Sequence, residues 1–248
     1  MSGASTDAAW RRLHETASAP YRQSGRFAWH FARGKLGRDP IFRGVIERGL
    51  LDATRARVVD IGSGQSLLAS LLSAMAGMQA QGHWPAHWAA TPARAEYTGI
   101  ELMPNDVARA RASIAHLEPA PTLLCADMRT ATLPACDLVA IFDVLHYVDL
   151  HAQEALLHRV RDALAPGGRL LLRVCDAASG RAFAFTQWVD RAVLFVRGHG
   201  TARTWGRPLA EWTALLSRLG FSVQIVPMSQ GTPFANVLLV ADLPTVPP

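Results

Sequence analysis

Long apolar runs are missing from this chain of 248 residues: no stretch approaches the roughly 20 consecutive apolar positions that a membrane-spanning helix needs. The first residues, Met1 to Ala9, are small and polar. They lack a basic start leading into an apolar segment, so no secretory signal is expected. Cysteine is scarce, and Cys125, Cys136 and Cys175 are odd in number, far apart and outside any CxxC pattern. That pattern argues against a disulfide framework and a metal site, and predicts three small core residues in a reducing, cytoplasmic setting. Lysine is nearly absent, with Lys35 alone among 25 basic residues. A phosphate-cradling GxxxxGK[ST] loop is also absent, and no internal repeat is evident.

Half of the residues are apolar and 18% are charged, so a core can form and the chain is globular rather than disordered. Its length fits one large α/β domain with additions. The net charge of +5 is unevenly placed: residues 1–57 carry eleven Lys or Arg against five Asp or Glu, and the remainder sums to about −1. From Trp10 to Leu51 the pattern is helical, with Phe27, Trp29 and Phe31 interleaved with Arg22, Arg26, Arg33 and Lys35. Asp39-Pro40 reads as an N-cap followed by proline at the first helical position. Two readings of this segment stand: its aromatics pack on the domain and its arginines are solvated, or it is a lid or docking surface for an acidic partner.

The stretch Val58-Val59-Asp60-Ile61-Gly62-Ser63-Gly64-Gln65-Ser66 organises the rest. A β-branched run reaches an acidic residue, then a glycine-rich turn, then the apolar helical pattern from Leu67. Such an order builds a small-ligand site at the carboxyl edge of a parallel strand. Further strands are expected at 96–100, 122–126, 137–142, 169–174, 221–226 and 236–241. Helices are expected from Ser66 to about Gly77, from Pro104 to about His116, from Asp149 to Leu164 (stopped by Ala165-Pro166-Gly167-Gly168), over Ala182–Val196 and over Pro208–Leu219. Alternation of strands with helices predicts an α/β fold, a doubly wound, seven-stranded, mostly parallel sheet with added N-terminal helices. The segment 78–94, with Trp84, Pro85, Trp88 and Pro92, lacks periodicity and reads as an insertion loop.

Asp60, Glu101, Asp127 and Asp143 each stand at or just past the carboxyl end of an expected strand, and in a doubly wound sheet those ends converge on one crevice. A carboxylate after the second strand can accept two ribose hydroxyl hydrogen bonds, and one after the third can accept from an adenine amino group. A dinucleotide fingerprint wants G-x-G-x-x-G, and Leu67 stands where the third glycine belongs.

Together the motifs Asp60-Ile61-Gly62-Ser63-Gly64-Gln65-Ser66, Gly99-Ile100-Glu101, Cys125-Ala126-Asp127-Met128, Phe142-Asp143-Val144-Leu145-His146-Tyr147 and Leu164-Ala165-Pro166-Gly167-Gly168 resemble those of the class I S-adenosylmethionine-dependent methyltransferases, over about residues 56–242. The resemblance implies a Rossmann-like methyltransferase fold and S-adenosylmethionine as cofactor. It implies that Gly62 and Gly64 pass the methionine part, with Asp60 beneath its amino group. Glu101 would hold the ribose with Leu102 beside it, Asp127 the adenine amino group, and Met128 the adenine face. Asp143 would lie near the methionine end. Two departures stand out: Ser66 replaces a third glycine, and Glu101 follows Asp60 by 41 positions instead of the usual roughly 20. The insertion accounts for the second.

Methyl transfer needs an acceptor atom in line with the sulfonium methyl, so positioning and water exclusion carry most of the catalysis. A hydroxyl acceptor also needs a base, and His146 is the candidate, against the plainer reading that it orients cofactor or caps a helix. Asp-Pro-Pro-Tyr and Asn-Pro-Pro-Tyr motifs, typical of relatives that methylate nucleic-acid or protein nitrogen, are absent. The expectation is therefore a small-molecule acceptor, methylated at oxygen or carbon. Phe27, Trp29, His146, Tyr147, Trp188 and Arg203 are candidate acceptor-binding residues, with a cover over about residues 180–205. Core packing of the aromatics and a structural ion pair for Arg203 are the plainer readings.

The segment Tyr21 to Pro40 further resembles methyltransferases of bacterial aryl-polyene and related fatty-acid-like pathways. That narrower resemblance implies an aromatic or polyene acyl acceptor, carried in one version on an acidic acyl carrier protein. The organisation expected is an N-terminal helical lid or docking extension over residues 1–55 and an S-adenosylmethionine-binding methyltransferase domain over 56–248. Competing classes are a non-catalytic S-adenosylmethionine-binding scaffold of a biosynthetic complex and peripheral membrane contact through the basic aromatic helices. No nucleic-acid module is recognisable.

Overall fold

The computed structural model describes residues 3–176, 204–228 and 236–245. The chain divides into two compact units: residues 1–132 with 136–138, and residues 133–135 with 139–248.

In the first unit, α1 (Gly3–Ser18) and a 3₁₀ turn (Ala19–Ser24) lead into α2 (Arg26–Arg38) and α3 (Pro40–Glu47). Helix α1 begins well before Trp10, in turns whose small residues carry no apolar period to mark them in the sequence. Trp10, Leu13 and Ala17 recur at helical spacing and are buried, followed by Tyr21, Ala28, Ala32 and Leu36. The Asp39 carboxylate accepts from the Ile41 amide at 3.1 Å with Pro40 opening α3, a cap worth about 1 kcal/mol. These helices pack on the elements that flank the strands. The Ser70 hydroxyl donates to the Ala17 carbonyl at 2.7 Å, and the Ser24 hydroxyl to the Arg109 carbonyl at 2.9 Å.

The same unit continues through β1 (Arg57–Ile61), α4 (Leu67–Ala80), β2 (Glu96–Glu101), α5 (Pro104–Ile114) and β3 (Thr122–Cys125). Strand β1 pairs in parallel with β2, and β2 with β3. Val58 to Ile61 are all buried, as expected of a parallel strand covered on both faces. Helix α4 runs three residues into the expected insertion, because Met78, Gln79 and Ala80 are good helix formers. The loop itself is internally tied. Gln79 and the Thr91 backbone exchange two hydrogen bonds at 2.9 and 3.1 Å, and the buried Trp88 ring meets Trp84 edge-on at 4.9 Å.

The second unit takes up β4 (Cys136–Phe142) from its fourth residue and adds α6 (Leu150–Ala163), β5 (Leu164–Cys175), α7 (Leu209–Arg218), β6 (Ser222–Pro227) and β7 (Asn236–Asp242). The Asp149 carboxylate caps α6 by accepting from the Ala152 amide at 2.8 Å. Strand β5 begins at Leu164, earlier than expected, although its ladder with β7 starts at Arg169 opposite Asp242. The strands form one seven-stranded sheet in the order β3-β2-β1-β4-β5-β7-β6, with β7 antiparallel to both neighbours. This is the Rossmann-like methyltransferase fold.

Of the cysteines, Cys136 is buried and Cys175 half-buried, whereas Cys125 is exposed, which corrects the expectation of three core residues. Cys125 ends an edge strand, where side chains on one face meet solvent. Burial pushes the Cys136 thiol up to about 12. Among the described residues no helix is long and apolar enough to cross a membrane.

Candidate active site

The turn after β1 is built from left-handed backbone and held by β2. Gly62, Gly64 and Ser66 have φ of 73°, 54° and 56°. Ser66 therefore keeps a conformation that favours glycine, the residue expected there from the family pattern. The Gly62 and Ser63 amides donate to the Ile100 carbonyl at 2.8 and 3.1 Å, and the Ser66 amide to the Ser63 carbonyl at 2.7 Å. The Gly64 amide donates to the Glu101 carboxylate at 2.8 Å. A Cβ at Gly99 would lie 2.9 Å from Ser63 Oγ, so β2 approaches the turn closely only because Gly99 has no side chain. A Cβ at Gly64 would meet nothing within 4 Å, which leaves open space at the turn.

Asp60 is only 5% exposed, and its carboxylate accepts from the Tyr97 hydroxyl at 2.6 Å. Burial pushes its pKa up to about 7; the Tyr97 bond opposes that rise and the Glu101 charge adds to it. Burial and the Asp60 charge raise Tyr97 as well, so its hydroxyl remains a donor. The buried Tyr21 hydroxyl donates to the Gln65 carbonyl at 2.8 Å. Gln65 Oε1 is buried without a hydrogen-bond partner among the described residues.

Glu101 spends one lone pair of each oxygen on a backbone amide, Gly64 on one side and Met103 at 2.8 Å on the other. The remaining lone pairs can accept two further donors. Leu102, next in the chain, is 56% exposed, and Met128 is half-buried. Asp127 is chelated by its near neighbour: Arg129 Nη2 and Nε reach its carboxylate at 2.6 and 2.9 Å, holding its pKa below the usual range. Phe27 and Trp29 make arginine contacts. Arg109 lies 4.9 Å over the Phe27 ring, and Arg22 and Arg33 lie 5.0 and 5.3 Å over Trp29.

In the second unit, Asp143 stands directly after β4 with φ of 59°, and its carboxylate is gripped by both Nε, at 2.8 Å, and Nη2 of Arg173. Arg173, on β5, is 1% exposed. His146 and Tyr147 lie on a 3₁₀ turn (Leu145–Tyr147) with their rings 4.1 Å apart. That turn is anchored through the Trp205 amide, which donates to the His146 carbonyl at 2.8 Å. The buried Gln153 amide donates to the carbonyls of Leu145, Val148 and Trp205 and accepts from Arg207 at 2.9 Å. Trp188, Arg203 and all but the last two residues of the expected cover over about residues 180–205 lie outside the described residues.

Tyr97, Tyr21, Gln65, Arg173 and Gln153 were not identified from sequence. Tyr97 carried a signal: it alternates with Gly99 and Glu101 on one face of β2. Arg173 carried another, as an arginine inside the apolar run Leu170 to Val174 that must find a partner if buried. Tyr21 and Gln153 had none, since their partners are set by tertiary packing.

The methyltransferase domain family matches residues 28–224, most of the chain. The chain therefore belongs to that family, and its fold is that of the class I S-adenosylmethionine-dependent methyltransferases. Acetylserotonin O-methyltransferase of Mus musculus is 34% identical over 137 residues, which are 51% of this chain and 34% of that protein. The chain thus spans about a third of this relative's length. Among solved structures, human N-acetylserotonin methyltransferase in complex with SAM aligns with a TM-score of 0.58 at 18% identity, over 93% of this chain and 59% of that one. An O-methyltransferase family protein from Burkholderia thailandensis aligns with a TM-score of 0.64 at 17% identity, over 91% and 63%.

Proposed function

We propose that this protein is an enzyme that binds S-adenosylmethionine at the Gly62–Ser66 turn and transfers its methyl group to a small-molecule acceptor. The observation that carries this reading is the Glu101 carboxylate, bonded to the Gly64 amide while two of its lone pairs stay available. The residues fit the cofactor: open space at Gly64, a buried acceptor without a partner at Gln65 Oε1, and a buried carboxylate at Asp60 suit an amino-acid end. Glu101 accepts the ribose hydroxyls, exposed Leu102 and half-buried Met128 cover the adenine, and Asp60 attracts the ammonium group. Asp127 accepts from the adenine amino group once Arg129 shifts. Asp143, held by Arg173, is the residue that the family resemblance assigns to the methionine end.

When bound, the cofactor supplies an electrophilic methyl on a sulfonium. The protein holds an acceptor oxygen in line with it, excludes water, and takes the hydroxyl proton on the His146 imidazole. Oxygen transfer is favoured over carbon by the family likeness to acetylserotonin O-methyltransferase. An aromatic or polyene acyl hydroxyl is the acceptor class, and Phe27, Trp29, Tyr147, Trp188 and Arg203 are the sequence's candidates for recognising it. Arg22, Arg26, Arg33 and Arg38 have no acidic partner among the described residues, and Phe27 beside them is 64% exposed. These arginines suit docking of an acidic acyl carrier protein, since complementary charge raises encounter rates.

Calorimetric titration with S-adenosylhomocysteine, followed by methyl-transfer assays on free and carrier-bound aromatic hydroxyl compounds, tests the reading. Binding with turnover is expected, and binding without turnover over a broad acceptor panel would favour a scaffold. Charge reversal at Arg22, Arg26 and Arg33 should slow turnover of the carrier-bound acceptor at low salt and spare the free one.

A further inference from the structure

The Gly62–Ser66 turn belongs to no regular ladder, so its shape depends on a few individual hydrogen bonds. Three of them come from β2: the Ile100 carbonyl takes the Gly62 and Ser63 amides, and Glu101 takes the Gly64 amide. The Gln65 carbonyl is anchored differently, by the hydroxyl of Tyr21 at 2.8 Å, a residue 44 positions upstream in the added N-terminal segment. Tyr21 is fully buried, and burial raises its hydroxyl far above the working pH range, so it donates in every usable buffer. Other bonds also tie the same segment down, among them Ser70 to Ala17, Ser24 to Arg109 and Ser113, and Thr6 to His87, but none of these touches the turn.

We propose that Tyr21 is a positioning residue for the cofactor, fixing the Gln65 peptide and so the part of the turn that meets the methionine end; the N-terminal segment is then a structural component of the cofactor site. This rests on the S-adenosylmethionine reading of the turn. Loss of the Tyr21 hydroxyl frees the Gln65 carbonyl and leaves Gln65 Oε1, the buried acceptor without a partner, free to turn away from the ligand. Glu101 keeps its own two amide bonds, so recognition of the nucleoside is untouched.

The test is calorimetry on the full chain with two probes, S-adenosylhomocysteine and methylthioadenosine, which lacks the amino-carboxyl arm. Tyr21→Phe keeps the ring and removes only the hydroxyl. It is expected to weaken S-adenosylhomocysteine about tenfold, the equivalent of one net hydrogen bond. Methylthioadenosine should stay within about twofold by the same reasoning, because it makes no use of that bond. Ser24→Ala, which loosens the same segment away from the turn, should leave the ratio of the two affinities unchanged. Equal affinity of Tyr21→Phe and wild type for S-adenosylhomocysteine, or equal weakening of both probes, would overturn the proposal. If the wild type binds neither probe, the cofactor reading itself fails and this inference fails with it.

Discussion

The Tyr97 hydroxyl donates to Asp60 Oδ2 at 2.6 Å beneath the Gly62–Ser66 turn, joining a buried acid on β1 to a buried phenol on the adjacent strand. Val58 stands opposite Tyr97 in the parallel register and Asp60 opposite Gly99, so the phenol reaches diagonally to the acid.

This pair predicts a pH effect on binding. Asp60 sits at about 7 because it is buried. A cofactor ammonium favours its ionised form, so S-adenosylhomocysteine affinity should fall by about tenfold per pH unit as the pH drops below about 7. Tyr97→Phe removes the bond that holds the value down, and the break should move upward. Titrations between roughly pH 5.5 and 8.5 check this, since they bracket the Asp60 value. A flat profile would remove Asp60 from the ligand.

Stability of the ligand-free protein should run the other way. A folded-state pKa raised above the unfolded carboxylate value of about 3.9 stabilises the fold fully below that value, and the contribution is lost as the pH rises through about 7. Relative to wild type, Asp60→Asn should therefore melt progressively higher between these two limits, in differential scanning calorimetry without ligand.

Gly99→Ala separates turn geometry from folding. The added Cβ would fall 2.9 Å from Ser63 Oγ and about as close to the Tyr97 ring and Leu123, pushing the turn away from β2. S-adenosylhomocysteine binding should weaken by an order of magnitude or more, with a stability loss of about 1–3 kcal/mol from overpacking. Retained affinity would mean that the turn accommodates the displacement.

Arg173 is the largest side chain among the most deeply buried, and its charge is matched by Asp143. Removing it in Arg173→Ala should cost about 3 kcal/mol, at the lower end for a broken buried pair because Asp143 is partly exposed. Urea unfolding measures this. Arg173→Met combined with Asp143→Asn should recover much of the loss, whereas Arg173→Lys should recover little because Lys cannot reproduce the two-pronged grip.

Legibility in the sequence followed the range of the interactions. The strands β1, β2 and β4 and the caps Asp39 and Asp149 were readable because β-branched runs, strand-end carboxylates and N-cap residues are local signals. Helix α1 before Trp10 was not, since small polar residues leave no apolar period. The positions of Asp60, Glu101, Asp127 and Asp143 at or just past strand ends were readable, but their partners were not. Tyr97, Arg173 and Tyr21 reach them or the turn only through strand register and helix packing. Arg129 was close enough to Asp127 to be noticed, yet nothing local distinguishes a chelating arginine from a solvated one.

Cofactor binding depends most directly on Glu101. Calorimetric titration of S-adenosylhomocysteine into the wild type and into Glu101→Ala should give one site in the wild type. The variant should be at least tenfold weaker, from loss of charge-assisted hydrogen bonds to the ribose worth about 1.5–3 kcal/mol each. Absence of binding to folded wild type, or undiminished affinity in folded Glu101→Ala, would contradict it.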